Sequence, residues 1–398
     1  MSHRQSADVI VIGLGAFGSA TTYQLAKRGA RVIGIDQYTP PHDRGSSHGA
    51  SRITRVAVGE GQIYIPLIQR SHAIWRELEA VTGKTLFHQT GGLIIGSISG
   101  AVSHHGKPDF VRRTIDNAAQ FDIPHEVFDA MEIRKRYPQF ITRGDETAYF
   151  EPGAGALLPE ACVQAQLDQA KMLGATLRLN EKVIAIEEDG NGVNVKTASG
   201  AYSAAKAIVT AGPWAPAMAG GKVQRHLTVR RQTLHWFKTD KPSLYAPENC
   251  PIFIWMHGNG DDDYLYGFPM VDGKHGVKVA SEQYHTETEP DCYLREVDTK
   301  ESLAMYERHV ATRLRFVQSE TIASAACLYT VSKDSNFIID AYRDMQNVRM
   351  VSACSGHGFK NSAGLGEQLA IDALAGSSGN IDAGGNPLLA PFRMQRFQ

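Results

Sequence analysis

Asp8-Val9-Ile10-Val11-Ile12-Gly13-Leu14-Gly15-Ala16-Phe17-Gly18 is the stretch on which the fold turns. Asp8 to Ile12 is a β-branched run of the kind that forms a strand buried on both faces. Gly13, Gly15 and Gly18 then fit the spacing G-x-G-x-x-G. The first glycine permits a tight turn, the second lets a pyrophosphate approach the backbone, and the third lets helix and strand pack closely. A helical stretch follows and ends near Gly29, a C′ position where glycine is favoured. Arg31 to Ile35 reads as a second strand, and Asp36 closes it where a ribose-binding acid belongs. The pyrophosphate is expected on the helix N-terminus, where unpaired N–H groups and the helix dipole favour negative charge. Strand, turn, helix and acid agree, so a dinucleotide site is a better reading than a fortuitous glycine-rich turn. The acid disfavours NADP and leaves NAD and FAD open.

Further along, Val163, Leu167 and Ala170 have helical spacing that stops near Gly174. Val183–Ile186 and Val193–Lys196 read as strands joined by the turn Asp189-Gly190-Asn191-Gly192. Ala207 to Thr210 is another buried strand, running into Ala211-Gly212-Pro213-Trp214. Residues 226–285 alternate polar and apolar and carry Trp236, Phe253, Trp255, Tyr266 and Phe268. That texture predicts an antiparallel sheet with one face lining a cavity. From about Ile338 the α/β texture returns. The loop from Ser103 to Pro108 reads as an exposed excursion, and Asp261-Asp262-Asp263 as a solvated turn.

A chain of 398 residues is too long for one simple core and suggests two interleaved domains or lobes. The net charge of −1 leaves no electrostatic footprint for nucleic acid or an anionic membrane, so a small charged substrate must be held by local charges. Cys162, Cys250, Cys292, Cys327 and Cys354 are odd in number, scattered, and form no C-x-x-C pair. They argue against a disulfide framework and a structural zinc site. The polar N-terminus and the lack of a long apolar span read as cytoplasmic.

Three further segments extend the argument: Pro40 to Arg55, containing Arg44-Gly45-Ser46-Ser47-His48; Tyr266-Gly267-Phe268-Pro269 with Gly276-Val277-Lys278-Val279; and Cys327-Leu328-Tyr329-Thr330, Phe337-Ile338-Ile339-Asp340 and Ser355-Gly356-His357-Gly358-Phe359-Lys360. With the N-terminal fingerprint, these resemble the monomeric sarcosine oxidase and N-methyltryptophan oxidase family of FAD-dependent amine oxidases. The match runs in order along nearly the whole chain. The resemblance implies an α/β fold: a discontinuous Rossmann-like FAD-binding domain (1–85, 155–222 and 325–398) and a substrate domain with a mostly antiparallel sheet (86–154 and 223–324).

By the same resemblance, Gly13, Gly15, Gly18 and Asp36 hold the ADP half of FAD, and Val183 contacts adenine by its backbone. Ser46, His48 and Arg52 fall near the isoalloxazine, as do Gly356, His357, Gly358, Phe359 and Lys360. Cys327 falls where the family attaches the flavin 8α-methyl group through a thioether, whereas Cys354 matches no role and reads as structural. Lys278, awkward for a surface lysine within an apolar strand, matches the lysine that assists oxygen reduction. A fixed cation there stabilises the negative charge that develops on oxygen. Arg52 and Lys360 resemble the pair that binds the substrate carboxylate; Arg55 reads as bracing the loop. Tyr266 is placed to close over the substrate. Glu282, four residues after Lys278, departs from the sarcosine type, which has histidine there, and resembles the glutamate of amadoriases. The expected partners are a carboxylate-bearing small-molecule amine and O₂, with no nucleic acid or membrane. The expected assembly is a monomer or small homo-oligomer. The expected reaction is oxidation of the C–N bond of an N-methyl or cyclic secondary amino acid with release of hydrogen peroxide. A fructosyl amino acid, or a dehydrogenase passing electrons to a carrier, is the alternative.

Overall fold

The computed structural model describes residues 5–97, 104–190, 192–260, 262–271, 273, 276–343, 345–375 and 386–398. Ser103, Asn191 and Asp261, which belong to three of the expected loops, lie outside that set.

β1 (Gln5–Ile12), α1 (Ala16–Lys27) and β2 (Val32–Asp36) form the expected βαβ unit. β1 lies between β2 and the strand Ala201–Val209, parallel to both. Thr176–Leu179 extends the parallel array beyond β2, and Met345–Ser352 extends it beyond Ala201–Val209. Antiparallel additions at Val193–Thr197, Val183–Glu188 and Ile338–Tyr342 bring this sheet to eight strands. Its alternating side chains feed two cores. Val9 and Val11 enter one, Ile10 and Ile12 the other. Burial on both faces is why β1 reads as a continuous apolar run. On one face α1 packs against the helices Pro159–Met172 and Ser362–Leu374.

Two glycines of the fingerprint are enforced by contact. Gly13 has φ +87°, and a Cβ there would sit 2.6 Å from the Thr210 carbonyl oxygen. A Cβ on Gly18 would fall 1.7 Å from the Gly13 carbonyl oxygen. Helix and turn are therefore closer than any side chain allows.

The second sheet also has eight strands, ordered Val317–Ser332, Leu227–Thr239, Val277–Ala280, Tyr264–Phe268, Ile252–Met256, Gly92–Ser97, Glu146–Glu151 and Glu126–Asp129. All neighbours are antiparallel except Ile252–Met256 with Gly92–Ser97. The strand Val317–Ser332 crosses the division placed at residue 325. A small sheet of Arg52–Thr54, Gly155–Leu157 and Phe87–His88 completes the architecture.

Trp236, Phe253, Trp255 and Phe268 are buried in packing, and of the five aromatics only Tyr266 is partly exposed. The cause is coverage of the sheet by other elements, such as Phe140 against Phe253 and Trp255. The loop read as an exposed excursion buries His104 and His105, because Tyr264 stacks on the first and Glu282 meets the second. Among the described residues no helix is long and apolar enough to cross a membrane.

Gly18→Ala is expected to destabilise the fold by about 3 kcal/mol through overpacking. Gly200→Ala, where an added Cβ meets nothing within 4 Å, serves as the near-neutral control. Denaturant midpoints of the two variants check this; equal midpoints would contradict the contact argument.

Candidate active site

A cavity of about 540 Å³ opens along the first sheet, within the range of small-molecule and cofactor sites. Its wall includes Gly13, Gly15, Asp36 and Val183, and also Ser46, Arg52, Gly356, Gly358 and Phe359. Residues assigned to both halves of FAD thus meet one continuous space. The wall chemistry suits a dinucleotide. Gly15 is the N-cap of α1 and supplies no side-chain cap, so the helix N-terminus faces the turn without its own acid. The Ala16 amide donates to Ser47 Oγ at 3.2 Å. Thr330 Oγ1, on the same wall, is buried without a partner among the described residues. Asp36 accepts the amides of Leu14 at 2.7 Å and Tyr38 at 2.8 Å, which fixes its carboxylate at the end of β2. Burial pushes its pKa up, against those two hydrogen bonds.

Lys278 is only 2% exposed. Its strand, Val277–Ala280, is flanked on both edges by other strands, so it is not a solvated edge. Nζ donates to the Gly49 carbonyl at 2.6 Å, the Ser51 carbonyl at 2.9 Å and Ser51 Oγ at 3.0 Å. It also lies 4.5 Å from the Phe268 ring centroid and 5.3 Å from that of Trp236. Aromatic faces and carbonyl oxygens both favour the charged form.

Arg52 and Lys360 are each already engaged, with different partners. The Arg52 guanidinium donates to the carbonyls of Ser46, His48 and Ser51, so it organises the loop that carries it. The loop is held from the other side by Glu160, which accepts the Gly49 and Ala50 amides at 2.7 and 3.1 Å. Lys360 Nζ pairs with Glu60 at 3.1 Å and donates to the His357 carbonyl at 2.9 Å. Arg55 pairs with Glu60 at 3.2 Å and donates to the Ala57 carbonyl, so it braces the loop and shares the same carboxylate. One acid between two cations leaves the cluster with a net positive charge. Burial pushes Lys360 down to about 8, although Glu60 opposes the shift. Burial would raise Glu60, but Arg55 and Lys360 hold it well below the carboxylate range.

Glu282 has become the centre of a second polar group. Its Oε2 meets His105 Nε2 at 3.0 Å, the Tyr284 hydroxyl at 2.7 Å and His104 Nε2 at 3.8 Å. Burial opposes its ionisation, yet His105, His104 and Tyr284 hold it down at about 2. A Cβ on Gly356 would lie 2.9 Å from Glu282 Oε1. This acid therefore stands against the Gly356 wall. Tyr266 and Tyr329 bring their hydroxyls to 3.5 Å beside it.

Cys327 is a free thiol, 1% exposed, packed with Leu234, Trp236, Ala280 and Tyr329. Burial raises its pKa, while Arg52 and Lys278 pull it the other way. Those cations are the type of neighbour that supports a thiolate. Cys354, expected to be only structural, lies on the cavity wall. His48 is lowered to about 4 by burial and by Arg52. The His357 imidazole donates from Nε2 to the Ser335 carbonyl, 2.8 Å away, and stacks on Phe337. Burial takes it down to about 3, so it is a neutral packing group.

Sequence reasoning overlooked Glu60, His104, His105, Tyr284 and Glu160. The paired histidines carried a signal, but they sat in a segment read as exposed. The two acids and the phenol come from distant segments and have no shared spacing.

Residues 8–370 match the FAD dependent oxidoreductase family. The chain is 36% identical over 376 residues to a monomeric sarcosine oxidase of Streptomyces avermitilis, covering 93% of this chain and 94% of the other. It is 33% identical over 369 residues to an N-methyl-L-tryptophan oxidase of Yersinia pestis, covering 92% and 94%. The open form of NikD, an amino acid oxidase of nikkomycin biosynthesis, has a similar fold, with a TM-score of 0.80, 22% identity, and 98% and 97% of the chains covered. A cavity built on a βαβ glycine turn thus goes with a sequence match along most of the chain. The chain belongs to the FAD-dependent oxidoreductases, in the sarcosine oxidase and N-methyltryptophan oxidase family.

Proposed function

We propose that this enzyme oxidises the C–N bond of a secondary amino acid, N-methyl or cyclic, and passes the electrons to O₂ to give hydrogen peroxide. The observation that carries the proposal is the buried Lys278 ammonium on a central strand, tied to the loop that bears Ser46, His48 and Arg52. The sarcosine and N-methyltryptophan oxidases named above support the substrate class. Glu282 favours a second reading, a fructosyl amino acid whose hydroxyls donate to the carboxylate. We place the enzyme in the cytoplasm, as a monomer or small homo-oligomer.

Bound FAD supplies the acceptor for a hydride equivalent and the route for electrons to oxygen. The glycine turn at Gly13 and Gly15 and the α1 N-terminus would hold its pyrophosphate, Asp36 its ribose, and Val183 its adenine. Ser46, His48 and the Gly356–Phe359 segment would hold its ring, and Cys327 would tether it. The residues of the chain then act by position and charge. Arg52 and the net positive Arg55–Glu60–Lys360 cluster orient the substrate carboxylate. Orientation of this kind replaces an encounter with a fixed geometry. The amine reacts in its neutral form, so no histidine or aspartate base is required. The oxidised iminium hydrolyses to an aldehyde or oxo acid and an amine. Tyr266 covers the substrate, and Lys278 stabilises negative charge as oxygen is reduced.

Peroxide release in air from sarcosine, N-methyltryptophan, pipecolate and a fructosyl amino acid tests the proposal. Turnover of a secondary amino acid without peroxide would point to a dehydrogenase, and turnover of the fructosyl compound alone would favour the second reading. In stopped flow, Lys278→Met is expected to slow reoxidation by roughly 100-fold while leaving anaerobic reduction little changed.

Acid precipitation should leave the flavin in the denatured pellet, and Cys327→Ala should move it to the supernatant. Flavin already soluble in the parent protein would refute the tether.

Binding of a simple carboxylate such as propionate, followed by flavin absorbance, is expected to weaken as pH rises through about 8. Below that value Lys360 is charged and attracts the anion; above it the charge is lost. Lys360→Met should bind weakly at every pH and show no such step.

A further inference from the structure

We propose that His104, His105 and Glu282 form a binding site for a divalent metal ion of the zinc class. Their three ligand atoms lie within 4.8 Å of one another, and all three residues are buried. They combine two imidazole nitrogens with one carboxylate oxygen, a donor set that suits zinc and its neighbours.

The spacing argues for an ion. Bonds of about 2.0–2.2 Å to a tetrahedral centre place donor atoms roughly 3.3–3.6 Å apart. His105 Nε2 and Glu282 Oε2 stand at 3.0 Å, and His104 Nε2 and the same oxygen at 3.8 Å. The first distance is also that of a hydrogen bond. The second is beyond hydrogen-bond reach of Glu282, so hydrogen bonding explains the approach of His105 and leaves that of His104 unexplained. These two distances bracket that spacing, so a few tenths of an ångström, outward for His105 and inward for His104, bring both nitrogens to coordination distance from the carboxylate oxygen.

The two imidazoles arrive on a constrained turn. His104 and Lys107 exchange backbone hydrogen bonds at 3.0 and 2.9 Å, and His105 takes φ +51°, in the left-handed region. Their ring centroids are 3.8 Å apart, and Tyr264 stacks on His104 at 4.1 Å. Neither ring therefore has to be ordered by the ion. Tyr284 donates to Glu282 Oε2 at 2.7 Å, the outer hydrogen bond that commonly orients a ligating carboxylate. Coordination through His105 Nε2 leaves Nδ1 to carry the ring proton, and that atom has no hydrogen bond to lose among the described residues. Three protein donors leave a fourth position open toward the Gly356 wall. The bound ion clamps the His104–Lys107 turn across Glu282.

The test is titration of untagged, chelator-treated, flavin-loaded protein with Zn²⁺ by calorimetry, and with Co²⁺ by visible absorbance in a flavin-subtracted spectrum. The expected result is one equivalent bound, with affinity falling roughly 100-fold in both His104→Asn and His105→Asn. Unchanged flavin absorbance and circular dichroism in these variants confirm that the fold is intact. Absence of stoichiometric uptake by the parent protein overturns the proposal without any variant. So does uptake that both variants retain in full, since that ion sits elsewhere, for example at the exposed Cys292. None of these outcomes depends on which amine is oxidised.

Discussion

A lysine ammonium with no access to water must find its partners inside the protein, and Lys278 finds them on another element. The strand Val277–Ala280 belongs to the antiparallel sheet, whereas Gly49 and Ser51 belong to the loop after the dinucleotide-binding unit. Leaving such a charge unpaired would cost several kcal/mol, so the contact keeps sheet and loop in fixed relation. The same loop is pinned by Arg52 through its carbonyls and by Glu160 through its amides. Cation and anion thus grip opposite polarities of one peptide segment. The wall of the cavity is set by this arrangement.

Charge is distributed in the site by pairing. Glu60 stands between Arg55 and Lys360, and Glu282 among His104, His105 and Tyr284. Each carboxylate remains ionised in a buried place because donors surround it, and each lends its neighbours a fixed orientation. A pocket of this kind discriminates by polarity as well as shape. The Arg55–Glu60–Lys360 side attracts anions, whereas the Glu282 carboxylate attracts hydrogen-bond donors.

The fold was legible where local chemistry dictates conformation. Glycines forced by a 1.7 Å clash and by positive φ leave a pattern that any reading recovers. Alternation in 226–285 announced an antiparallel sheet, but alternation says only which side chains share a face. Whether that face meets solvent, a cavity or another layer depends on what packs on it, and here Trp236, Phe253, Trp255 and Phe268 were covered. The segment around His104 failed for a related reason. Its Gly, Lys and Pro residues indicate a turn truthfully, yet composition carries no information on whether a turn is buried.

The sequence alone determined the βαβ unit, the dinucleotide site and the family, because each rests on short-range spacing or on motifs kept in order. Tertiary structure decided the electrostatics. Glu60 reaches Lys360 across 300 positions of the chain, and His105 reaches Glu282 across 177. No periodicity encodes such pairs, because a buried ion pair is selected by distance in space, and the chain brings those positions together only after both sheets have formed.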